Sequence, residues 1–307
     1  MKILICTQVV DKNDTVLGFF HRWVEEFSKK FEKVTVVCLK KGLFSLPSNV
    51  EVLSLGKEDK RSQIVYIFRF LKYVWYKRDN YDSVFVHMNQ EYVLIGGWLW
   101  KILGKKVFMW RNHPNGNLLT RVAVMFADKV FCTSPKSFTA KFKKTQLMPV
   151  GIDTDFFNPD SAVYRTPNSV LFLGRISPIK KVLEFVEWFN TLDNNFLATI
   201  VGEPLHQDAG YYEEVKRRAN NRIMFQGAVN QNGALKLYQS HEVYVNKTPD
   251  GSFDKTIMEA AACETKVLVD NTDLKFMETM TGEELREFVV QNHNLKLLMD
   301  KLEKEII

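Results

Sequence analysis

Thr248-Pro-Asp-Gly-Ser-Phe-Asp-Lys-Thr-Ile-Met-Glu-Ala-Ala-Ala-Cys263 is the stretch on which the fold turns. It follows a short apolar run, 242–246, that reads as a buried strand, and it precedes a second such run, 266–270. The Pro-Asp-Gly-Ser loop predicts a turn that opens a helix near Asp254, with Ile257, Met258, Ala261 and Ala262 facing a core. A Gly-containing loop feeding a helix N-terminus offers free backbone N–H groups and the positive end of a dipole, which suits a phosphate or pyrophosphate. Glu259 lies about one turn inside that helix, where a carboxylate can accept hydrogen bonds from two vicinal hydroxyls such as those of a ribose. A capped helix carrying one solvated Glu fits the same residues.

Outward from this stretch, 307 residues predict two domains, each large enough for its own core. The net charge of +6 hides an asymmetry. Residues 1–150 carry 25 Lys and Arg against 12 Asp and Glu, and residues 151–307 carry 17 against 24, so the halves stand at +13 and −7. Halves of opposite sign suggest different partners. Cys6, Cys38, Cys132 and Cys263 are far apart with no CxxC, which predicts reduced, buried thiols in a cytoplasmic protein rather than disulfides or a zinc site. The chain enters a strand at once, so no signal peptide is expected. The longest lipid-like run, 92–100, falls short of the roughly 20 residues a spanning helix needs.

The chain opens strand (2–7), loop, helix (19–31), strand (33–39), a crossover that implies a parallel sheet. Gly18 is the only glycine of that first loop, so its amide could approach a phosphate; a simple turn is the plainer reading. There is no GxGxxG, and with it no dinucleotide fingerprint. The helix predicted over 61–77 has Ile64, Ile67, Phe68, Leu71, Val74 and Trp75 at helical spacing, with Tyr66, Phe70, Tyr73 and Tyr76 among Lys60, Arg61, Arg69, Lys72, Lys77 and Arg78. Two readings stand: a core helix with amphipathic tyrosines on its rim, or a membrane-surface helix. His87 and His113 fall at the carboxyl ends of predicted strands, where parallel sheets bind ligands, and a site role is expected for His113. A helix over 135–142 completes the first domain. Pro149 and Gly151 mark the boundary, and Asp153-Thr-Asp155 beside it reads as an Asx-turn rather than a metal-binding DxD. In the second half, strand 169–173 runs into Gly174-Arg-Ile-Ser-Pro-Ile-Lys-Lys181. Arg175 and Lys180, five apart in a loop after a strand, can straddle a diphosphate, one as a bidentate fork and one as a point charge.

These residues resemble a known family. Gly174-Arg-Ile-Ser-Pro-Ile-Lys180, Pro149-Val-Gly-Ile-Asp153, Phe225-Gln-Gly227 and Glu259-Ala-Ala-Ala-Cys263 are similar to motifs of the retaining GT-B glycosyltransferases of family 4, and the likeness runs in order along nearly the whole chain. It implies an α/β fold of two Rossmann-like, doubly wound domains facing a cleft: 1–148 on the acceptor side, 149–284 binding the nucleotide-sugar donor, and C-terminal helices in 285–307, the last packing back on the first domain. By the same resemblance Arg175 and Lys180 grip the donor diphosphate and Glu259 holds the ribose. Gly18, Gly174, Gly202, Gln226, Gly251, Ser252, Phe253, Asp254 and Lys255 complete the donor side. His87, Asn112 and His113 form the acceptor side, and His113, Arg175, Lys180 and Asp254 carry the catalysis.

Two departures matter. The first Glu of the family's E-x7-E falls at Gly251, so the carboxylate that touches the transferred sugar is missing, with Asp254 or Asp250 as substitutes and Lys255 nearby. Lys181 replaces the glycine usual after the lysine. The reaction implied is metal-independent sugar transfer with retention, needing no cofactor beyond the nucleoside-diphosphate sugar (UDP or GDP type) as co-substrate. The expected acceptor is a glycan or lipid-linked; an anionic membrane surface is a further expected partner, which would place the protein peripherally on the inner face, and no nucleic acid is expected. A non-catalytic nucleotide-sugar-binding protein is the alternative, and a nucleotide-sugar epimerase a weaker one.

Overall fold

The computed structural model describes every residue except Ser252. The chain divides into two compact units, residues 1–151 with 296–307 and residues 152–295. The net charges of these units are again +13 and −7, because 296–307 add three lysines and three acids.

In the first unit the elements run β1 (Lys2–Val10), α1 (Phe19–Lys30), β2 (Lys33–Lys41), β3 (Val50–Ser54), α2 (Gln63–Tyr76), β4 (Ser83–His87), α3 (Gln90–Ile102), β5 (Lys106–Trp110), α4 (Leu118–Phe126), β6 (Lys129–Cys132) and β7 (Thr145–Leu147). Among the described residues the strands form one sheet in the order β3-β2-β1-β4-β5-β6-β7, and every pairing is parallel. Strands buried on both faces need near-continuous apolar runs, and β1 and β4 supply them. Phe20, Trp23, Val24 and Phe27 recur at helical spacing and bury one side of α1. Asn117 and Thr120 close a capping box at the start of α4. The helix expected over 135–142 is only a 3-10 turn, Phe138–Lys141, because Pro135, Ser134 and Ser137 favour local turns over a continuous ladder.

The second unit comprises β8 (Thr166–Leu173), α5 (Val182–Asn190), β9 (Leu197–Val201), α6 (Ala209–Arg218), β10 (Ile223–Gln226), α7 (Gln231–Ser240), β11 (His241–Asn246), α8 (Lys255–Ala262), β12 (Lys266–Val269) and α9 (Gly282–Asn292). Its sheet runs β10-β9-β8-β11-β12, all parallel. The last helix, α10 (Leu295–Ile306), lies almost wholly in the first unit, where Leu298, Met299, Leu302 and Ile306 are buried.

Helix α2 turns an unexpected side inward. Phe70 and Val74 are buried, whereas Ile64, Ile67, Phe68 and Trp75 are exposed. The residues at i, i+4 and i+11 that looked like a core stripe therefore face solvent. The two sides of this helix are nearly equally apolar, so spacing alone could not choose between them. All four cysteines are free and buried.

Candidate functional site

The donor-side candidates gather at the carboxyl ends of β8, β9, β10 and β11, the edge at which open parallel sheets bind ligands. Gly202, just past β9, has φ +147°, and a Cβ there would stand 1.9 Å from the Gly174 carbonyl oxygen. Two loop backbones thus pass in direct contact, and only glycine allows it. Gly174 N–H donates to Val201 O, and Gly202 N–H to Gln226 O, both at 3.0 Å, so Gln226 contributes its main chain to this brace.

Arg175 leaves the brace exposed, with no hydrogen bond or ion pair among the described residues. Lys180, at the end of a 3-10 turn, is engaged. Its Nζ pairs with Asp254 Oδ2 and reaches Thr248 Oγ1 at 3.3 Å. Lys181 follows in the left-handed region (φ 51°), which explains why a glycine would suit the position.

Asp254 occupies the N-cap position of α8 but makes no capping hydrogen bond. Its carboxylate is drawn to Lys180 instead, and Asn246 Nδ2 and Thr248 Oγ1 also donate to Oδ2, each at 3.2 Å. Tyr244 OH, in turn, accepts from Asn246 Nδ2 at 2.9 Å and donates to Thr256 Oγ1 at 2.6 Å. Burial pushes the Asp254 carboxyl up, but the charge and hydrogen bond of Lys180, with Asn246 and Thr256, outweigh it and bring the pKa down to about 2. The first turn of α8 is thereby left without a side-chain cap, which suits an anion.

Asp254, one of the two candidates for the missing Glu, is accordingly already paired within the chain. Asp250 is committed as well: its two oxygens accept from Thr272 N at 2.7 Å and Thr272 Oγ1 at 2.9 Å. Gly251 has φ +102°. Phe253 lies edge-on to His293, with ring centroids 6.1 Å apart. Ser252 lies outside the described residues. Glu259 is buried and accepts from Tyr238 OH at 3.3 Å. Burial pushes its carboxyl up against the opposing pull of Lys255, and burial likewise pushes Lys255 down. Asp153 Oδ1 accepts from the amides of Asp155 and Phe156 at 3.2 and 3.1 Å, so Asp153-Thr-Asp155 forms the Asx-turn.

In the first unit three of the candidates are engaged within the fold. Gly18 N–H already donates to Asp14 O at 3.1 Å, and a Cβ at this position would lie 2.5 Å from that oxygen, so the glycine serves a tight turn and offers no free amide. His87 is buried with its ring stacked on Phe20 at 4.1 Å and edge-on to Phe19, and Thr7 Oγ1 lies 3.3 Å from Nδ1; it is a packing residue. Asn112 uses Oδ1 to tie down Thr133 N and Ser137 Oγ at 3.3 and 2.9 Å, bracing the loop after β6. His113, by contrast, is exposed, and its Nδ1 lies 3.0 Å from both the amide nitrogen and the carbonyl oxygen of Asn115.

Sequence reasoning missed Arg111. Its Nη2 donates to Asn115 O at 2.9 Å, while Nη1 is buried with no hydrogen-bond partner among the described residues. Gln90 Oε1 and Thr133 Oγ1 are orphaned in the same way, and the three residues follow the neighbouring strands β5, β4 and β6. An arginine directly after an apolar strand, Lys106–Trp110, was the available signal. The Asn246–Thr248–Asp254 cluster was missed too, since nothing in sequence pairs residue 180 with residue 254.

The family model "Glycosyl transferases group 1" matches residues 153–306. No curated protein matches the chain in sequence. Among solved structures, Alr3699/HepE of Anabaena in complex with UDP and glucose is similar, with TM-score 0.76, 15% identity, and 100% of this chain and 99% of that chain covered. A sucrose-phosphate synthase (tll1590) from Thermosynechococcus elongatus gives TM-score 0.77 at 14% identity, over 99% and 98%. A glycosyltransferase from Rickettsia africae gives 0.68 at 15%, over 99% and 98%. At such identities these likenesses establish the fold, which is GT-B-like, with its two parallel sheets.

Proposed function

The chain belongs to the glycosyl transferases group 1 family, and from that premise we propose that it is a retaining glycosyltransferase that moves a sugar from a UDP-type nucleoside-diphosphate sugar to a glycan or lipid-linked acceptor without a metal ion. The observation that carries this is Arg175: an exposed guanidinium with no hydrogen bond or ion pair among the described residues, at the carboxyl end of β8 and in one loop with Lys180. A diphosphate fits there, between two cations and an uncapped helix N-terminus, and these groups supply the charge stabilisation that a departing diphosphate needs. HepE is described in complex with UDP-glucose, which favours uridine over guanosine as the base. Glu259 takes the ribose in this reading, and attack comes on the face that the leaving group vacates, with the diphosphate receiving the acceptor proton.

On the acceptor side the reading assigns the exposed His113 and Arg111, whose orphaned Nη1 needs a polar partner. The outward apolar stripe of α2, with Lys60, Arg61 and Lys72 exposed beside it, supports peripheral attachment to an anionic membrane surface. Among the described residues no helix is long and apolar enough to cross a membrane. The test is donor hydrolysis and transfer with UDP- and GDP-sugars, measured with and without EDTA. Turnover that survives chelation and retains the anomeric configuration is expected. Binding of UDP-sugar without any turnover would favour the non-catalytic alternative, and turnover abolished by EDTA and restored by manganese would overturn the metal-free assignment.

A further inference from the structure

The Lys180–Asp254 pair sets the charge of the donor loop. Asp254 sits where an N-cap residue would ordinarily bond the helix, yet its carboxylate is turned to Lys180 and held there by Asn246 and Thr248. Asn246 is itself fixed by Tyr244, and Thr248 N–H donates to Asn246 Oδ1 at 2.9 Å, so the carboxylate is anchored from three sides. Lys180 is 23% exposed in its side chain and Asp254 16%, so water screens the pair poorly. Arg175, five residues away, has no such counter-ion among the described residues. Of the two cations read as gripping the diphosphate, Arg175 is therefore without a counter-ion among the described residues and Lys180 is neutralised; Lys181, the loop's third cation, lies 4.0 Å from Asp270.

We propose that Asp254 is a positioning residue that acts through Lys180, and that its fixed negative charge favours release of the nucleoside-diphosphate product over retention of it. The proposal rests on the donor-site reading above. A phosphate oxygen bonded to Lys180 Nζ stands about 5 Å from a carboxylate bonded to the same ammonium group, a separation shorter than the Debye length. Both charges act at close range in a partly buried site, where Coulomb terms are large. The sugar donor carries one negative charge on each phosphate. The product's terminal phosphate has a second ionisation near pH 6 and carries one more charge at neutral pH. Asp254 therefore repels the product more than the donor. Product release limits turnover in many enzymes, and a fixed carboxylate beside the leaving group would hasten it.

Calorimetric affinities for UDP and UDP-glucose, with GDP and GDP-mannose run in parallel, test this on the full chain. Asp254→Asn should tighten the diphosphate about tenfold and the nucleotide sugar much less, and product inhibition should deepen accordingly. Asp254→Ser, which keeps a hydroxyl for Asn246 and Thr248, carries the test if the asparagine variant fails to fold. An unchanged ratio of the two affinities, or a weaker diphosphate, overturns the proposal. Selective loss of the nucleotide sugar also overturns it, because that outcome means Asp254 touches the sugar. Arg175→Ala separates the layers: if diphosphate binding survives that change, the donor-site reading falls and takes this proposal with it.

Discussion

Arg175 and Lys180 belong to one loop and have opposite relations to the folded state. The Arg175 side chain is exposed and makes no hydrogen bond or ion pair among the described residues, so Arg175→Ala should leave stability within about 0.5 kcal/mol of the parent, as for ordinary surface sites, while weakening UDP binding by about 1.5–3 kcal/mol. Lys180→Ala leaves the Asp254 carboxylate buried without its cation, and removing one partner of such a pair costs about 3 kcal/mol. Chemical denaturation and calorimetry on both variants check the contrast; equal stability losses would dissolve it. The pH dependence follows from the same pair. The Asp254 pKa is lowered from 3.8 to about 2 on folding, so its contribution, about 2 kcal/mol, is complete above pH 4 and vanishes as pH falls toward 2. Lys181→Gly should raise stability by about 1 kcal/mol, because the left-handed backbone is strained for lysine and the 4.0 Å contact with Asp270 is largely solvated. A lower denaturation midpoint for that variant would show that the Asp270 contact outweighs the strain. At this scale the sequence disclosed the cations, because a glycine after an apolar strand placed Arg175 at its end. It could not disclose that Asp254 binds Lys180, since contacts across 74 positions are created by the fold. Nor could it separate His87, packed against Phe20, from the exposed His113.

Elements were more legible than their faces. The alternation of apolar strands and amphipathic helices was readable in both halves because a parallel sheet demands strands buried on two sides, which read as continuous apolar runs. The three-residue β7 and the turn at Phe138–Lys141 escaped, as segments of that length carry no periodicity. Helix α2 was found but its orientation was not, and that orientation bears on function. A helix with Ile64, Phe68 and Trp75 outward exposes more apolar surface than a soluble contact face ordinarily does. Arg69 is not available to a lipid, since its Nη1 donates to Leu55 O at 3.1 Å; Lys60, Arg61 and Lys72 are. Reversing those three to glutamate should remove about 1 kcal/mol each from attachment to anionic vesicles, roughly a hundredfold in all. Phe68→Ser should weaken attachment without altering the salt dependence. Sedimentation with phosphatidylserine-containing and neutral liposomes at low and high salt reads both effects. Absence of binding to anionic liposomes at low salt would assign α2 to another partner.

At the scale of the molecule, the chain begins its second unit at Ile152, ends it at Leu295 and then gives α10 to the first unit. Entry and exit are tied together inside the second unit: Ile152 N–H donates to His293 O at 2.8 Å and Leu295 N–H to Ile152 O at 2.7 Å. Helix α10 is held by its apolar face and by charge. Lys30 pairs with Asp300 and Glu303 at 2.7 and 2.8 Å, and Lys129 pairs with Glu305. The hydrogen bonds that Lys30 donates to Asp300 and Glu303 push its ammonium pKa upward, but pairs this accessible contribute little to stability. The apolar face decides. Leu298, Met299, Leu302 and Ile306 are each 1% exposed or less, and full burial of such a side chain contributes about 1.5–3 kcal/mol. Deleting residues 296–307 should therefore cost the first unit more than about 5 kcal/mol, a large part of the stability of an ordinary domain. The second unit keeps its own sheet and core, and its hydrogen-exchange protection should persist in the truncated chain. The opposite pattern, protection lost in the second unit and kept in the first, would mean that α10 stabilises the unit it leaves rather than the one it joins.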